Sequence, residues 1–287
     1  MACIIDGKRI SAEIRAKLKV EVANLKAERG IVPSLAVIIV GENPASRVYV
    51  NNKKRACDEI GIVSHEFALP CDVSQAELLS LIDELDHRGD VNGILVQMPL
   101  PAHIDEKAVI ERISPIKDVD AFHEINVGKL MTGNFKFLPC TPAGIVRLLD
   151  ESNIDIAGKH CVIIGRSNIV GKPLAMLMLH CDATVTICHS KTLHLDEICR
   201  TADILVAAVG RAKFVTADMI APGAVVIDVG INRGGDGKIC GDVDFDNAKE
   251  VASYITPVPG GVGPMTICML MNNAVTAALL QNDDLKR

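Results

Sequence analysis

One lysine of the sequence lies where a charged side chain is not expected. Lys53 belongs to residues 43–61, which predict a helix, and at about 100° per residue it shares an arc of about 100° with four side chains, Tyr49, Ala56, Cys57 and Ile60. A lysine on such a stripe can pack its stem and extend its ammonium to water. It can also lie partly desolvated and hydrogen-bonded to Tyr49, and burial would then disfavour its charged form and favour acid–base chemistry. The residues alone leave both interpretations open.

Three further polar residues occupy positions where side chains often meet ligands. Gln97 ends the apolar run GILVQMP, and the carboxyl ends of strands in open α/β sheets face ligand crevices. Asp118 and Asp120 occur in the segment SPIKDVDAF. A glutamine in this place can also bond to loop backbone, and aspartates in loops are often turn residues. A catalytic role for the three is therefore a hypothesis at this point.

The segment PVPGGVGPMT (257–266) sets glycines and prolines against the start of a predicted helix. It can be a rigid connector. Because glycine has no side chain, it can also let a ligand approach the backbone closely.

A glycine turn, Gly165-Arg-Ser-Asn-Ile-Val-Gly171, follows one predicted strand and opens a predicted helix. It resembles the dinucleotide fingerprint G-x-G-x-x-G, but Ser167 replaces the second glycine and the last glycine comes one residue late. Backbone N–H groups at such a helix start favour phosphate. A plain tight turn would look the same, so the variant fingerprint is a weak signal by itself.

The end of the next predicted strand strengthens the cofactor interpretation. NAD-binding domains place a carboxylate on the ribose about 20 residues after the turn. Here that position reads His189-Ser190-Lys191-Thr192, with no carboxylate to repel a 2′-phosphate. Arg166 and Ser190 are suited to hold such a phosphate. The sequence therefore predicts an NADP site.

Short apolar runs alternate with amphipathic stretches, which is the pattern of βαβ units. Strands are predicted at 35–41, 92–99, 160–164, 183–188, 203–208 and 224–229, and helices at 11–29, 43–61, 171–181, 194–201, 244–252 and from about 264 to 280. In the second helix Asn43 is the predicted N-cap, Pro44 the first helical residue and Gly61 the terminator. Residues 111–142 look irregular and indicate a domain junction, so we expect two α/β domains with mostly parallel sheets around a cleft.

Composition excludes some classes of protein. The chain has 287 residues and a net charge of −6, and this negative charge argues against a nucleic-acid surface. No uninterrupted apolar run reaches the roughly 18–20 residues of a membrane span, and the N-terminus lacks a secretory signal. The ten cysteines form no C-x-x-C pair, so we expect reduced core thiols in a cytoplasmic protein and no metal site.

Seven motifs together resemble the bifunctional methylenetetrahydrofolate dehydrogenase/methenyltetrahydrofolate cyclohydrolase family. They occur in the family's order between residues 45 and 266: ASRVYVNNKKRACDEIGI, GILVQMPLP, KDVDAF, PCTPAGI, GRSNIVGKP, CHSKT and PVPGGVGPMT.

The resemblance implies two α/β domains. A three-layer catalytic folate-binding domain would comprise 1–122 and 275–287, a Rossmann NADP-binding domain 140–274, and a junction 123–139. It also implies a homodimer that associates through the Rossmann domains. The protein would be cytoplasmic and act in one-carbon metabolism, which serves purine biosynthesis.

The resemblance assigns site residues one by one. Lys53 matches the family's catalytic lysine, Tyr49 its partner, Gln97 its support and Asp120 the carboxylate that anchors the pterin. The remaining implied folate contacts are Val96, Met98, Pro259, Gly260, Gly261, Val262, Gly263 and Pro264. The implied cofactor contacts are Gly165, Arg166, Ser167, Ser190, Lys191, Thr192 and Ile231.

One residue departs from the family's pattern. The family usually has glycine after the second aspartate of KDVD, and this chain has Ala121. If that position needs a positive φ, alanine strains the loop that holds Asp120.

The implied chemistry has two steps at one carbon. NADP-dependent oxidation of 5,10-methylenetetrahydrofolate gives the 5,10-methenyl form, a step that depends chiefly on positioning. Hydrolysis to 10-formyltetrahydrofolate then needs an acid–base group, which we assign to Lys53. The alternatives are a monofunctional NAD(P)-dependent methylenetetrahydrofolate dehydrogenase, a shikimate-type dehydrogenase and a non-catalytic dinucleotide-binding sensor.

Overall fold

The computed structural model of the protein describes residues 1–234 and 237–284, and contacts divide the chain into two compact units. The first unit comprises Met1–Ala12 and Pro139–Thr266. The second comprises Glu13–Leu138 and the residues from Ile267 onward.

Strands and helices alternate along most of the chain. The strands are β1 (Cys3–Ile4), β2 (Ser34–Val40), β3 (Val63–Leu69), β4 (Gly93–Val96), β5 (His160–Ile164), β6 (Thr184–Cys188), β7 (Ile204–Ala207), β8 (Val225–Asp228), β9 (Asn232–Arg233), β10 (Ile239–Cys240) and β11 (Tyr254–Ile255). The helices are α1 (Gly7–Arg29), α2 (Pro44–Ile60), α3 (Gln75–His87), α4 (Glu106–Arg112), α5 (Glu124–Met131), α6 (Cys140–Glu151), α7 (Gly171–His180), α8 (Leu195–Cys199), α9 (Phe245–Val251) and α10 (Val262–Asp284), with a 3₁₀ turn at Ala217–Met219.

The first unit is built on a parallel six-stranded sheet in the order β1-β11-β8-β7-β5-β6. Its central strands are almost wholly buried, as expected of a sheet with helices on both faces. Buried side chains on one face of the sheet pack against helices α8 and α9. The cluster includes Val162, Leu205 and Val226 of the sheet, with Cys199 of α8 and Ala248 of α9. The antiparallel pair β9–β10 lies outside this sheet.

The second unit is built on a parallel three-stranded sheet in the order β3-β2-β4. All seven residues of β2 are buried, so both faces of the central strand are covered. On one face, Ile38 and Ile94 join a core cluster with Leu78, Ile82 and Val109 of α3 and α4. The two-domain α/β fold with parallel sheets is thus confirmed.

The helix that carries Lys53 begins and ends as predicted. The Asn43 side chain accepts a hydrogen bond from the Ser46 N–H at 3.3 Å, and Pro44 is the first helical residue. Gly61 ends the helix at φ +95°, with its N–H donating to the Cys57 carbonyl.

The prediction of an irregular segment at 111–142 is wrong in part. Residues Glu124–Met131 form α5, whose first turn is capped by the His123 ring, and α6 begins at Cys140. The α5 sequence EINVGKLM is short and contains a glycine, so its apolar periodicity is too weak to predict a helix.

The compact units also divide the chain differently from the predicted domains. Met1–Ala12 belong to the first compact unit, where Cys3 and Ile4 of β1 pair in parallel with β11. Residues 123–138 belong to the second unit, and α10 passes from the first unit to the second between Thr266 and Ile267. Residues 285–287 of the predicted folate domain lie outside the described residues.

One described helix is long and apolar enough to span a membrane by length and composition alone. Such a helix was not expected from the sequence, because only uninterrupted apolar runs were counted there. It is α10, over Val262–Asp283, and 56% of its apolar window is buried within the protein. A core helix meets the same test, so this is weak evidence for a membrane.

Every cysteine is free, and the expectation of core thiols holds for Cys57, Cys140, Cys161, Cys188, Cys199 and Cys268. Cys3 and Cys71 are exposed instead. Within the described residues, no group of three or more His, Cys, Asp or Glu side chains is arranged to hold a metal ion.

Candidate active site

Lys53 and Gln97 meet in the second unit although 44 residues separate them. The Lys53 Nζ donates to the Gln97 Oε1 at 2.9 Å, and both side chains are half-buried. Gln97 follows β4 directly, and its N–H donates to the Ile38 carbonyl, which continues the ladder with β2. The strand end therefore points this amide at the helix that carries the lysine.

A second hydrogen bond fixes which end of the Gln97 amide faces the lysine. The Gln97 Nε2 donates to the Met98 carbonyl at 2.7 Å. The amide nitrogen is thereby engaged, and the oxygen is the atom presented to Lys53. A pure acceptor at this point orients the amine without supplying a charge.

Tyr49 lies one turn before Lys53 on α2 and is 37% exposed. Burial raises the pKa of its phenol above 10.0, so the hydroxyl stays neutral at physiological pH. Tyr49 and Lys53 lie one turn apart on α2, and the printed partner of the Lys53 amine is the Gln97 Oε1.

The two aspartates of KDVDAF have different environments. Asp118 is 3% exposed, and its Oδ2 accepts from the His123 N–H and from the Asn126 Nδ2, each at 2.9 Å. Burial raises the pKa of the Asp118 carboxyl, and the two hydrogen bonds oppose that shift. Asp120 is half-buried. Asp118 thus has a structural role, and Asp120 is the one of the two with a surface open to a ligand.

Ala121 has the positive φ that the sequence comparison with the family's glycine anticipated. Its φ is +59°, and the residue is 1% exposed. A left-handed conformation costs a non-glycine residue about 1–2 kcal/mol. The loop after Asp120 therefore carries backbone strain at one buried residue.

The glycine-rich segment 259–264 belongs to the first unit, not to the unit of Lys53. Gly260 has φ +114°, and a Cβ on Gly261 would lie 2.7 Å from the Pro257 carbonyl oxygen. Gly7 lies against the same turn, where a Cβ would lie 1.9 Å from the Gly261 oxygen. The turn needs its glycines for its own packing, and α10 begins directly after it at Val262.

The turn after β5 has the shape of a phosphate-binding loop. Gly165 has φ +131°, and a Cβ there would lie 2.2 Å from the Ala208 carbonyl oxygen. A Cβ on Gly171 would lie 2.1 Å from the Gly165 oxygen. Both glycines are therefore required, as the fingerprint demands of its first and last glycine.

Ser167 explains the departure from the fingerprint. Its Oγ accepts from the N–H groups of Val170 at 3.1 Å and Gly171 at 3.4 Å, at the start of α7. A serine in place of the second glycine thus caps the helix that the turn opens.

Arg166 and Ser190 follow the carboxyl ends of adjacent strands. Ile164 of β5 pairs with Cys188 of β6, so each of the two residues lies two positions beyond the same pair. Both are exposed, and the Arg166 guanidinium forms no ion pair with any described residue. Lys191 is exposed and Thr192 half-buried in the same turn, where the Thr192 hydroxyl accepts from the His189 N–H. This open, cationic end of the sheet fits a 2′-phosphate.

Two buried aspartates that the sequence did not single out support the loops at this end of the sheet. Asp242 accepts from the N–H groups of Val209, Gly210 and Arg211. Asp228 accepts from the N–H groups of Gly230, Asp242 and Val243, and burial raises the pKa of its carboxyl to about 6.

The loop after Asp228 brings two predicted contacts together. Ile231 lies 51% exposed, and its Cδ1 is 3.9 Å from the position of a Cβ on Gly263. A residue predicted to touch the cofactor and one predicted to touch the folate thus meet within the first unit. The sequence signal that could have singled out Asp228 is its place at the end of an apolar strand, in VVIDVG.

Two family models cover most of the chain. The catalytic domain of tetrahydrofolate dehydrogenase/cyclohydrolase matches residues 5–120, and the NAD(P)-binding domain of the same enzymes matches residues 139–282. The residues matched by the first model include Lys53, Gln97 and Asp120, and those matched by the second include the turn after β5.

Similar proteins share almost the full length of the chain. Proteins named bifunctional protein FolD are 61% identical in Acetivibrio thermocellus, over 98% of each chain, and 60% identical in Bacillus anthracis, over 97% of each chain. The crystal structure of the bifunctional FolD methylenetetrahydrofolate dehydrogenase/cyclohydrolase from Campylobacter jejuni has a TM-score of 0.95 at 50% identity, covering 98% of this chain and 99% of that chain. The Trypanosoma brucei enzyme, solved with NADP and an inhibitor, has a TM-score of 0.93 at 38% identity, covering 100% of this chain and 99% of that chain.

One assignment follows from the two family models, the high identity over nearly the whole length and the residues around Lys53 and Gly165. The chain belongs to the tetrahydrofolate dehydrogenase/cyclohydrolase family.

Proposed function

We propose that this chain oxidises 5,10-methylenetetrahydrofolate to 5,10-methenyltetrahydrofolate with NADP⁺ and then hydrolyses the product to 10-formyltetrahydrofolate. The observation that carries this proposal is the Lys53–Gln97 hydrogen bond of 2.9 Å in the unit that the catalytic-domain model matches. Bifunctional relatives at about 60% identity support both activities.

We assign folate binding to the second unit and cofactor binding to the first. In the second unit Asp120 would anchor the pterin, and Tyr49, Val96, Gln97 and Met98 would line its site. In the first unit the folate contacts would come from Pro259 to Pro264. Because glycine has no side chain, a ligand could approach the backbone of this segment closely.

Residues of the first unit fit NADP. The tight Gly165–Gly171 turn opens α7, whose N-terminal N–H groups would face the pyrophosphate, and Arg166 and Ser190 are exposed and suited to the 2′-phosphate. Ser167, Lys191, Thr192 and Ile231 would complete the contacts. When bound, the nicotinamide supplies the hydride acceptor for the first reaction.

The oxidation is a task of positioning. The bridging carbon of the substrate lies between two nitrogens, whose lone pairs stabilise the cation left when the carbon gives up a hydride. The chain must hold the pterin in one orientation, which is the role we give to Asp120. No side chain has to exchange a proton in this step.

The hydrolysis moves protons and is the step we assign to Lys53. Water attacks the same carbon, the amine takes a proton from that water, and the ammonium returns a proton to the ring nitrogen as the carbon–nitrogen bond breaks. The Gln97 Oε1 holds the amine in place, and the neutral Tyr49 hydroxyl can donate a hydrogen bond beside it.

We also propose a homodimer in the cytoplasm that serves one-carbon metabolism and purine biosynthesis, with neither nucleic acid nor membrane as partner. A net charge of −6 argues against a nucleic-acid partner, and cysteines without disulfides fit a cytoplasmic protein.

A two-wavelength assay tests the proposal. The protein is mixed with 5,10-methylenetetrahydrofolate and either NADP⁺ or NAD⁺, and reduced cofactor and methenyl product are followed separately by absorbance. We expect reduced cofactor chiefly with NADP⁺ and only transient methenyl product. Methenyl product that persists would mean a monofunctional dehydrogenase, and cofactor binding without turnover would mean a sensor.

A further inference from the structure

Hydrogen bonds hold the residues on the N-terminal side of Asp120 in place. The Lys117 Nζ donates to the carbonyls of Leu85, Asp86 and Arg88 at the end of α3, at 3.1, 2.6 and 2.8 Å. Burial lowers the pKa of Lys117, yet three carbonyls at a helix C-terminus favour its ammonium. The loop thus begins at a fixed point.

Asp118 fastens the loop to the following helix. Its carboxylate accepts from the His123 N–H and the Asn126 Nδ2 at the start of α5, and Ile94 of β4 forms an isolated parallel bridge with it. Asn126 Nδ2 also donates to the Pro115 carbonyl at 2.9 Å. Two residues before Asp120, the backbone direction is therefore set.

Asn273 of α10 reaches the residue directly before Asp120. Its Nδ2 donates to the carbonyls of Val119 and Leu138, both at 2.8 Å, and the residue is 4% exposed. The Val119 carbonyl belongs to the peptide that joins Val119 to Asp120. A hydrogen bond to that oxygen restrains the rotation of the peptide plane, which contains the Asp120 N–Cα bond from which its side chain is directed.

The same helix holds the loop at a second, more distant point. The Gln281 Nε2 donates to the carbonyls of Asn92 at 2.7 Å and Ile116 at 3.3 Å. Asn273 and Gln281 are eight residues apart and so share a face of α10. Gln281 therefore supports the loop four residues from Asp120, and Asn273 supports it at the adjoining peptide.

We propose that Asn273 is a positioning residue for folate binding, because it holds the Val119–Asp120 peptide in the one orientation that presents the Asp120 carboxylate to the pterin. This inference rests on the role given to Asp120 in the proposed function. On the C-terminal side of Asp120, the positive φ of Ala121 turns the chain away, so the carboxylate lies at the bend between a fixed peptide and a fixed turn.

A double-mutant cycle tests the inference. Asn273→Ala, Asp120→Ala and the double variant are compared for the KM and kcat of NADP-dependent oxidation of 5,10-methylenetetrahydrofolate, with NADP⁺ affinity and Tm as checks on integrity. We expect Asn273→Ala to raise the folate KM by about tenfold, with NADP⁺ affinity unchanged. In the Asp120→Ala background the same change should raise the KM by less than about twofold, since coupled residues are not additive.

Two control variants separate positioning from folding. Asn272→Ala changes the exposed neighbour of Asn273 on the same helix and should leave KM and Tm unchanged. Gln281→Ala should lower the Tm and leave the folate KM within about twofold, because its bonds are remote from the Val119–Asp120 peptide. Should Asn273→Ala not fold, Asn273→Ser keeps a shorter donor and is carried through the same cycle.

Two results would overturn the inference in different ways. A folded Asn273 variant with unchanged KM, or an effect that persists in full without Asp120, would leave Asn273 a purely structural residue. An unchanged KM in Asp120→Ala alone would remove the role given to Asp120 in the proposed function, and the inference with it.

Discussion

Replacement of Arg166 by alanine should change the cofactor preference of the protein. Arg166 follows β5, Ser190 follows the adjacent β6, and both lie two residues beyond the Ile164–Cys188 pair. No carboxylate occurs in His189–Thr192 to repel a phosphate. The guanidinium is therefore the cation best placed for the 2′-phosphate, the group that distinguishes NADP from NAD.

The size of the effect follows from the exposure of the arginine. A hydrogen bond to a charged group contributes about 1.5–3 kcal/mol, and tenfold in affinity is about 1.4 kcal/mol. Because Arg166 is exposed, water and salt weaken the contact, and we take the lower limit. We expect the Kd for NADP⁺ to rise by about 10- to 20-fold and the Kd for NAD⁺ to change by less than about twofold.

Titration calorimetry with both cofactors at one ionic strength measures these constants. Arg200→Ala is the matched control, because Arg200 is an exposed arginine of the same unit that already pairs with Asp196 and the Asp218 carbonyl. It should leave both constants unchanged. Equal weakening of NADP⁺ and NAD⁺ binding by Arg166→Ala would mean that another residue holds the 2′-phosphate.

Three further predictions concern a strained loop residue, a buried carboxyl and the pterin anchor. Ala121→Gly should change the free energy of unfolding by less than about 0.5 kcal/mol, because relief of the positive φ offsets the lost methyl contact. Ala121→Val should destabilise the protein by about 2 kcal/mol or more. Urea unfolding measures both variants, and a large loss of stability in the glycine variant would contradict the backbone strain at this residue. The pKa of Asp228 is raised to about 6 in the folded protein, so its contribution to stability is present at low pH and is lost as pH rises through that value. Between about pH 5 and pH 7.5 the free energy of unfolding of the wild-type protein should fall by about 1.4 kcal/mol more than that of Asp228→Asn. Equal falls, measured by urea unfolding at each pH, would show that this carboxyl does not titrate in that range. Asp120→Asn should lower kcat/KM for the folate by about tenfold or more while NADP⁺ binding stays the same, and an unchanged kcat/KM in steady-state assays would remove Asp120 from the site.

The contact between Lys53 and Gln97 was implied by the family resemblance, and two local patterns had singled out the two residues separately. The amphipathic stripe placed Lys53 on the buried face of α2, and the end of an apolar strand placed Gln97 at the carboxyl edge of a parallel sheet. In the structure β4 pairs with β2, and Gln97, directly after β4, accepts a hydrogen bond from Lys53 of α2. A bond between Tyr49 and Lys53 stays one of the two interpretations that the residues left open, because a shared helix face does not fix which partner a long side chain selects.

Features that depend on distant parts of the chain were not predicted. Strand β1 has two residues, too few to show a period, so its pairing with β11 could not be foreseen. Asn273 acts on a carbonyl 154 residues earlier in the chain, and a single asparagine in an apolar helix gives no hint of that partner. Asp242 likewise looked like a loop residue until the fold placed three N–H groups around its carboxylate.

The hydrolysis of preformed 5,10-methenyltetrahydrofolate by Lys53→Met, with Lys54→Met as the control on the exposed face of the same helix, tests the central claim most directly. If Lys53 moves the protons of this step, its replacement lowers the hydrolysis rate by about 10²–10⁴-fold, and the change at Lys54 leaves the rate within about twofold. Hydrolysis by folded Lys53→Met at the wild-type rate would contradict the assignment of acid–base chemistry to this amine.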